Sequence, residues 1–363
     1  MDDLKYWVWL SSLPGIGARR FNQLIEYFGS PYEVWNANYN QLFRVQGLGK
    51  NIYTVLNQKY RDNLEFYMHR IKEIGIDVLR AVDDDYPVHL KAIYDPPPVL
   101  YVRGKLEKSD DRAVAIIGSR KATIYGLNMA KEIAFELAIR GITVVSGMAR
   151  GVDTFAHRGA LEAGGRTIAV LGCGVDIPYP PENKMIIDQV SKSGSVISEF
   201  AVGMKPLSGN FPARNRIISG LSMGVVVIEA GDRSGSLITV DFALEQGKEV
   251  FAAPGNATSY ESKGTNRLIK EGAKMVTCVE DVLEEFAELR TIKVVSEKKN
   301  EQQYSNLDED ERKIINNIGA EPVHIDILLR RTGHNIQKIN SVLTMLELKG
   351  ILKQLPGKFF LRA

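Results

Sequence analysis

Between Ala113 and Gly255, short apolar runs alternate with stretches of helical periodicity, and the runs end in glycine- and serine-rich turns. Ala113–Ile117 leads into Gly118-Ser119-Arg120, and Ile142–Val145 leads into Ser146-Gly147-Met148-Ala149-Arg150-Gly151-Val152-Asp153. Thr167–Leu171 precedes Gly172-Cys173-Gly174, Val225–Ile228 precedes Ser234-Gly235-Ser236, and Glu249–Ala253 stops at Pro254-Gly255. A further strand is predicted near Ser195–Ile197. Continuous apolar runs of about five residues suit strands buried on both faces. Helices are predicted between them over Gly126–Arg140, Asp153–Ala163 and Leu237–Gln246. Repeated βα units of this kind predict an α/β domain with a doubly wound, Rossmann-like, mostly parallel sheet and right-handed crossovers. Such sheets bind ligands at the carboxyl ends of their strands, where these turns fall. Glycine and serine amides beside arginines suit an anion there, above all phosphate.

At 363 residues the chain is too long for one ordinary domain. Residues 1–75 are predicted helical, with Tyr6, Trp7, Trp9 and Leu10 opening an apolar face. Leu13-Pro14-Gly15-Ile16-Gly17 breaks that pattern, and Val45-Gln46-Gly47-Leu48-Gly49-Lys50 repeats the break. Two such breaks between short helices resemble a helix-hairpin-helix (SAM-like) domain, with Arg19, Arg20 and Lys50 as phosphate partners. The same glycines also suit plain helix C-caps. Residues 76–111 are expected to form a structured connector with short strands at Asp77–Leu79 and Val99–Val102, and 112–287 the sheet domain. Residues 288–304, with Glu297-Lys298-Lys299-Asn300-Glu301-Gln302-Gln303, lack apolar periodicity and predict a linker. From 305 to 363, helices over Asp308–Ile318, Ile325–Arg331 and Ile336–Lys349 precede strands Ile351–Leu355 and Phe359–Leu361. Three helices and a hairpin predict a winged helix, with Asn335 capping the third helix. Its near-balanced charge leaves duplex binding and a docking role both open.

Several chemistries lack their motifs. No G-x-x-x-x-G-K-[ST], H-E-x-x-H or G-x-S-x-G is present. After Gly172-Cys173-Gly174 the third glycine of a dinucleotide fingerprint is replaced by Ile177. Cys173 and Cys278 are far apart, which argues against a zinc ribbon and suits a reducing cytosol. The net charge is only +2, so any basic surface must be local. No apolar run reaches the ~18 residues of a membrane span, and Met1-Asp2-Asp3 does not open a signal peptide. A cytoplasmic location is expected. His157 lies one helical turn beyond Asp153. It suits either a general base or a polar strut behind the turn, and no nucleophile or metal set accompanies it. Glu199 and Glu229 stand at strand ends, where they suit either catalysis or pairing with Arg214 and Arg216.

Taken together, these turns carry a resemblance. Gly118-Ser119-Arg120, Ser146 to Asp153 with Ala156-His157, Tyr179-Pro180, Ser198-Glu199 and Phe211-Pro212-Ala213-Arg214-Asn215-Arg216-Ile217-Ile218 resemble the DprA/Smf family of DNA-processing proteins. So do Ser234-Gly235-Ser236-Leu237-Ile238-Thr239, Pro254-Gly255 and Gly264-Thr265-Asn266. The resemblance implies a non-enzymatic, homodimeric protein that needs no cofactor. It implies binding and protection of incoming single-stranded DNA, and help in loading the RecA recombinase in natural transformation and recombination.

The implied DNA-binding residues are Gly118, Ser119, Arg120, Ser146, Gly147, Arg150, Lys205, Phe211, Arg214, Asn215, Arg216, Ser234, Gly235, Ser236, Lys263 and Asn266. Phe211 is placed to stack on an unpaired base. Arg214 and Arg216 alternate along a segment expected to be extended, so at most one is expected to meet DNA. The family's basic residue just before Phe211 is missing, because the chain reads Pro206-Leu207-Ser208-Gly209-Asn210, with Lys205 further away. Two other readings compete. Nucleoside-monophosphate hydrolases of the lysine-decarboxylase-like group share this sheet. Their P-G-G-x-G-T-x-x-E signature is broken at Ser234–Asp241, which lacks its second glycine and its acid. A nucleotide-sensing module is the third reading.

Overall fold

The computed structural model describes residues 3–45, 56, 64–290, 307–318, 323–349, 351–355 and 357–362. The chain divides into two units, Met1–Val294 and Val295–Ala363.

The first unit is built on a nine-stranded sheet. Its strands are β1 (Asp77–Arg80), β2 (Val99–Gly104), β3 (Ala113–Ile117), β4 (Thr143–Ser146), β5 (Thr167–Val170), β6 (Ser195–Ser198), β7 (Gly224–Val227), β8 (Glu249–Ala252) and β9 (Lys274–Met275). Their order is β1-β2-β6-β5-β4-β3-β7-β8-β9. From β6 to β9 all neighbours run parallel. Chain order winds outward from β3 in one direction through β6, then restarts beside β3 with β7. The switch point therefore lies between β3 and β7, where Val114 is paired with Val144 on one side and Gly224 on the other.

Strands β3 to β7 are buried along their whole length, as their unbroken apolar runs require. Side chains alternate between the two faces. Val114 and Ile116 pack under helices Ile124–Ile139 and Val152–Glu162 through Ile133, Leu137 and Ala156. Ala115 and Ile117 pack with Ile217, Val240 and Leu268, which come from helices Asn210–Gly220, Leu237–Glu245 and Lys263–Lys270.

The two short strands expected in the connector form as β1 and β2, and both join this sheet. β2 joins β6 antiparallel and β1 pairs antiparallel outside it. The link between them carries Pro87 and Pro96-Pro97-Pro98, which confine its helix to Val88–Lys91. The N-terminal helices Leu4–Ser12, Ala18–Phe28, Pro31–Asn36 and Tyr39–Phe43 share a core with the sheet. Trp7, Trp9, Leu10 and Phe21 belong to one apolar cluster with Tyr101, Ala169 and Val196. Gly15 takes a positive φ of 81°, and its carbonyl accepts from Arg20 Nη1 at 2.6 Å. Arg20 therefore serves the first break. The second break, from Gln46 to Lys50, lies outside the described residues, as does the linker segment Glu297–Gln303.

The second unit has helices Glu309–Ile315, Ile325–Thr332 and Ile336–Leu348. A three-stranded sheet, β10-β12-β11, completes it, with β10 at Val323–His324, β11 at Leu352–Leu355 and β12 at Phe359–Arg362. This is a winged helix with one more strand than the sequence suggested. Asn335 caps the third helix by accepting from Lys338 N at 2.8 Å. Ile314, Leu328, Ile339, Leu343 and Leu346 form its core.

Candidate functional site

A cavity of about 660 Å³ opens at the switch point. Loops after β3 and β7 and the amino-terminal turns of Asn210–Gly220 and Leu237–Glu245 supply its walls. Of the sixteen residues expected at the site, Gly118, Ser119, Arg120, Phe211, Arg214, Asn215, Ser234, Gly235 and Ser236 line it.

The turn after β3 is held firmly. Ser119 N donates to Glu229 O at 2.7 Å, and Val152 N donates to Ser119 O at 3.2 Å. The Ser119 amide therefore ties β3 to β7. Glu229 is buried and accepts from Thr123 N and Oγ1, both at 2.7 Å, so it fixes the entry to helix Ile124–Ile139. What the turn presents outward is the exposed Arg120 and its neighbour Lys121. Neither has a carboxylate within 4 Å among the described residues, and the same holds for the exposed Arg233 in the loop after β7. Lys121 and Arg233 were not singled out in the sequence. Their only signal is adjacency to the Gly-Ser-Arg and Ser-Gly-Ser turns.

Phe211 sits in the first turn of Asn210–Gly220, half-buried. Its ring lies over Gly172, where a Cβ would stand 2.8 Å from the ring. Tyr179 packs beside it at 5.4 Å between centroids, and the Arg120 guanidinium stands 5.8 Å from its centre. Arg120 thus puts a cation beside Phe211, although the chain has no basic residue just before that ring. Lys205 is exposed in its loop but does not line the cavity.

The segment Phe211–Arg216 is helical, contrary to the extended expectation. Pro212 falls in the first helical turn, where a missing backbone N–H costs nothing. Arg214 and Arg216 still point to different sides, because two helical residues are separated by about 200°. Neither is free for a ligand. Arg214 is buried, and its Nη1 donates to Gly147 O at 2.8 Å and to Val170 O. Arg216 is buried between Asp95, at 3.1 Å, and Glu199. Glu199 thus pairs Arg216 rather than standing as a free acid.

At the cavity floor and beneath it lies a set of buried polar groups. Asp153 accepts from Ala149 N at 3.2 Å, and burial pushes its carboxyl up to about 6 against the pull of Arg214. Burial likewise pushes Arg214 down to about 10, opposed by Asp153. His157 is fully buried, with Nδ1 2.8 Å from Thr167 Oγ1. That hydroxyl donates to Val144 O at 2.7 Å, so it accepts from His157 and fixes the proton on Nδ1. Burial, then Arg214, pushes the imidazole down to about 3. His157 is a neutral strut between its helix and β5.

The remaining expected contacts have structural partners or lie off the cavity. Ser146 is buried and donates to Ile116 O at 2.6 Å, and Gly147 is buried beneath Arg214. These two are therefore closed to a strand at the surface. Asn266 bonds both backbone groups of Gly255, at 3.0 and 3.2 Å, and so latches a loop. Arg150 is exposed but paired with Glu182. Lys263 is exposed at the start of its helix, outside the cavity. Ser234 and Ser236 share a hydroxyl hydrogen bond of 2.7 Å, and Asn215 Nδ2 donates to Gly235 O at 3.3 Å.

The family model described as DNA recombination-mediator protein A matches residues 77–287, and that of the DprA winged helix domain matches residues 298–358. Protein Smf of Synechocystis is 33% identical, the match covering 98% of this chain and 98% of its own. The X-ray structure of DNA processing protein A from Streptococcus pneumoniae aligns with a TM-score of 0.69 at 36% identity, over 78% of this chain and 98% of its own. DNA processing protein A from Helicobacter pylori, described for its single-stranded DNA binding mode, aligns with a TM-score of 0.53 at 32% identity. That match covers 59% of this chain and 96% of the other. No helix of the described residues is long and apolar enough to cross a membrane.

Proposed function

The chain belongs to the DNA recombination-mediator protein A family, and from that premise we propose that it binds single-stranded DNA in the cavity at the switch point. The observation that carries this reading is a cavity lined by three exposed cations with no ion pair among the described residues, Arg120, Lys121 and Arg233, and by an aromatic ring, Phe211, beside Arg120. Phosphates lie against the guanidinium and ammonium groups, which supply salt-dependent affinity. The half-buried Ser234 and Ser236 hydroxyls and the exposed Gly235, at the amino end of helix Leu237–Glu245, add polar contacts to the backbone. A base stacks against Phe211, which only an unpaired strand can offer. In this role the protein acts in the cytoplasm as a homodimer, shields incoming single strands and passes them to the RecA recombinase. It performs no covalent chemistry on them.

The test is a binding titration at two salt concentrations with an oligo-dT strand, the matching duplex and a mononucleotide. Tight, salt-dependent binding of the single strand alone is expected. Preference for the mononucleotide, or its hydrolysis, would place the function in small-ligand chemistry instead. A second expected result concerns the ring. Phe211→Ala should cost about 1–3 kcal/mol of single-strand affinity with an unchanged salt slope. A flattened slope would mean that the ring acts only by seating Arg120.

A further inference from the structure

Phe211 is not the sole aromatic ring on this cavity. Tyr260 lines it from the far side, in the short turn Tyr260–Ser262 after β8, and is 57% exposed. An exposed tyrosine on a loose loop would carry no message, but this one is held in place. Its ring lies on Gly231, where a Cβ would come within 2.5 Å of the ring edge. The loop beneath it is fastened at three points. Tyr125 OH donates to Pro254 O at 3.1 Å, Asn266 brackets Gly255, and Gly264 N donates to Ala230 O at 2.8 Å. The ring is therefore oriented before any ligand arrives, so ordering it costs little on binding. Its hydroxyl makes no hydrogen bond among the described residues, so the exposed part of the ring is not needed to satisfy the fold.

The two rings stand over different strands. Phe211 lies over Gly172, just after β5, and Tyr260 over Gly231, just after β7. In the order β5-β4-β3-β7 these strands are three spacings apart, roughly 14 Å. That exceeds the reach of one base, and Arg120 and Lys121 rise from the β3 turn between them.

We propose that Tyr260 is a second base-stacking platform, so that a single strand crosses the sheet's carboxyl edge with one base against Phe211, its phosphates on the β3 turn and a different base against Tyr260. This inference rests on the single-strand reading above. It adds that the site engages at least two bases and runs across the sheet from β5 towards β8.

The test compares wild type, Tyr260→Ala and Tyr260→Phe on two probes, an oligo-dT strand and a base-free strand with the same phosphate backbone. Tyr260→Ala should weaken oligo-dT binding roughly five-fold or more, the loss of one base–aromatic stack, with the salt slope unchanged. Tyr260→Phe should bind like wild type. On the base-free strand all three proteins should bind alike. Equal binding of oligo-dT by wild type and Tyr260→Ala would overturn the platform while leaving the single-strand reading intact. A loss of equal size on both probes would also overturn it, because the ring would then be holding the loop. Failure of wild type to bind oligo-dT at all would remove the single-strand reading and the platform with it.

Discussion

Arg214→Ala is expected to destabilise the folded chain by about 3–5 kcal/mol near neutral pH. The guanidinium is buried, bridges the loop after β4 to the end of β5, and faces the buried Asp153. Truncation leaves two backbone carbonyls without their donor and removes the positive charge that offsets the buried Asp153 carboxylate, and it is that uncompensated charge that makes the loss large. The effect should depend on pH. Asp153 already titrates near 6 in the fold, above its ordinary 3.8, because of burial. An acid raised in this way binds more protons folded than unfolded. Its contribution therefore becomes more favourable as pH falls through the folded value. Without Arg214 the folded value rises further, so the penalty is relieved on acidification. His157 acts in the same sense. Its folded value lies near 3, below the ordinary 6.5, so wild type loses stability from this group as pH falls below 6.5. Removing Arg214, a secondary cause of that depression, lessens this loss. Urea unfolding near pH 7.5 and pH 5 should then show a smaller difference between variant and wild type in acid. A difference below about 1 kcal/mol, or one independent of pH, would mean that the pair with Asp153 is not what holds this floor.

That burial also shows where the sequence stopped being informative. The alternation from Ala113 to Gly255 was enough to predict the parallel sheet, because strands buried on both faces must be apolar throughout. It also placed the turns at the strand ends. Three things were hidden. The short runs of β1 and β2 were legible, but not their place in the large sheet, because the antiparallel pairing of β2 depends on β6, almost a hundred residues away. The helix Asn210–Gly220 begins with Phe211-Pro212, a pair that suits an extended segment until Pro212 is recognised as a first-turn residue. Most important, composition cannot tell a cation that meets solvent from one that meets a carbonyl. Arg120 and Arg214 read alike in the sequence. One is exposed beside Phe211, and the other is the keystone beneath it. Residue type suggested an anion site, but only the tertiary partners show that Arg120, Lys121 and Arg233 remain free to form it.

Removing those three cations together should have the largest effect on binding. In Arg120→Ala/Lys121→Ala/Arg233→Ala, each lost phosphate contact should reduce the slope of log affinity against log salt by about 0.7 for a single strand. A triple loss thus flattens it by roughly 2. Affinity at low salt should fall by roughly two orders of magnitude or more, and the gap to wild type should narrow as salt rises. Stability should change little, because all three side chains are exposed and none has an ion pair among the described residues. This separates the variant from Arg214→Ala, whose binding defect should accompany a folding defect. Arg120→Ala alone supplies the control, with a slope change of about one contact. If the triple variant keeps the wild-type slope, the strand's phosphates lie elsewhere, and the exposed Lys205 and Lys263 become the residues to remove next. If the slope falls but Phe211→Ala has no effect, the cavity holds the strand by its backbone alone. Protection from duplex would then have to come from shape rather than from bases.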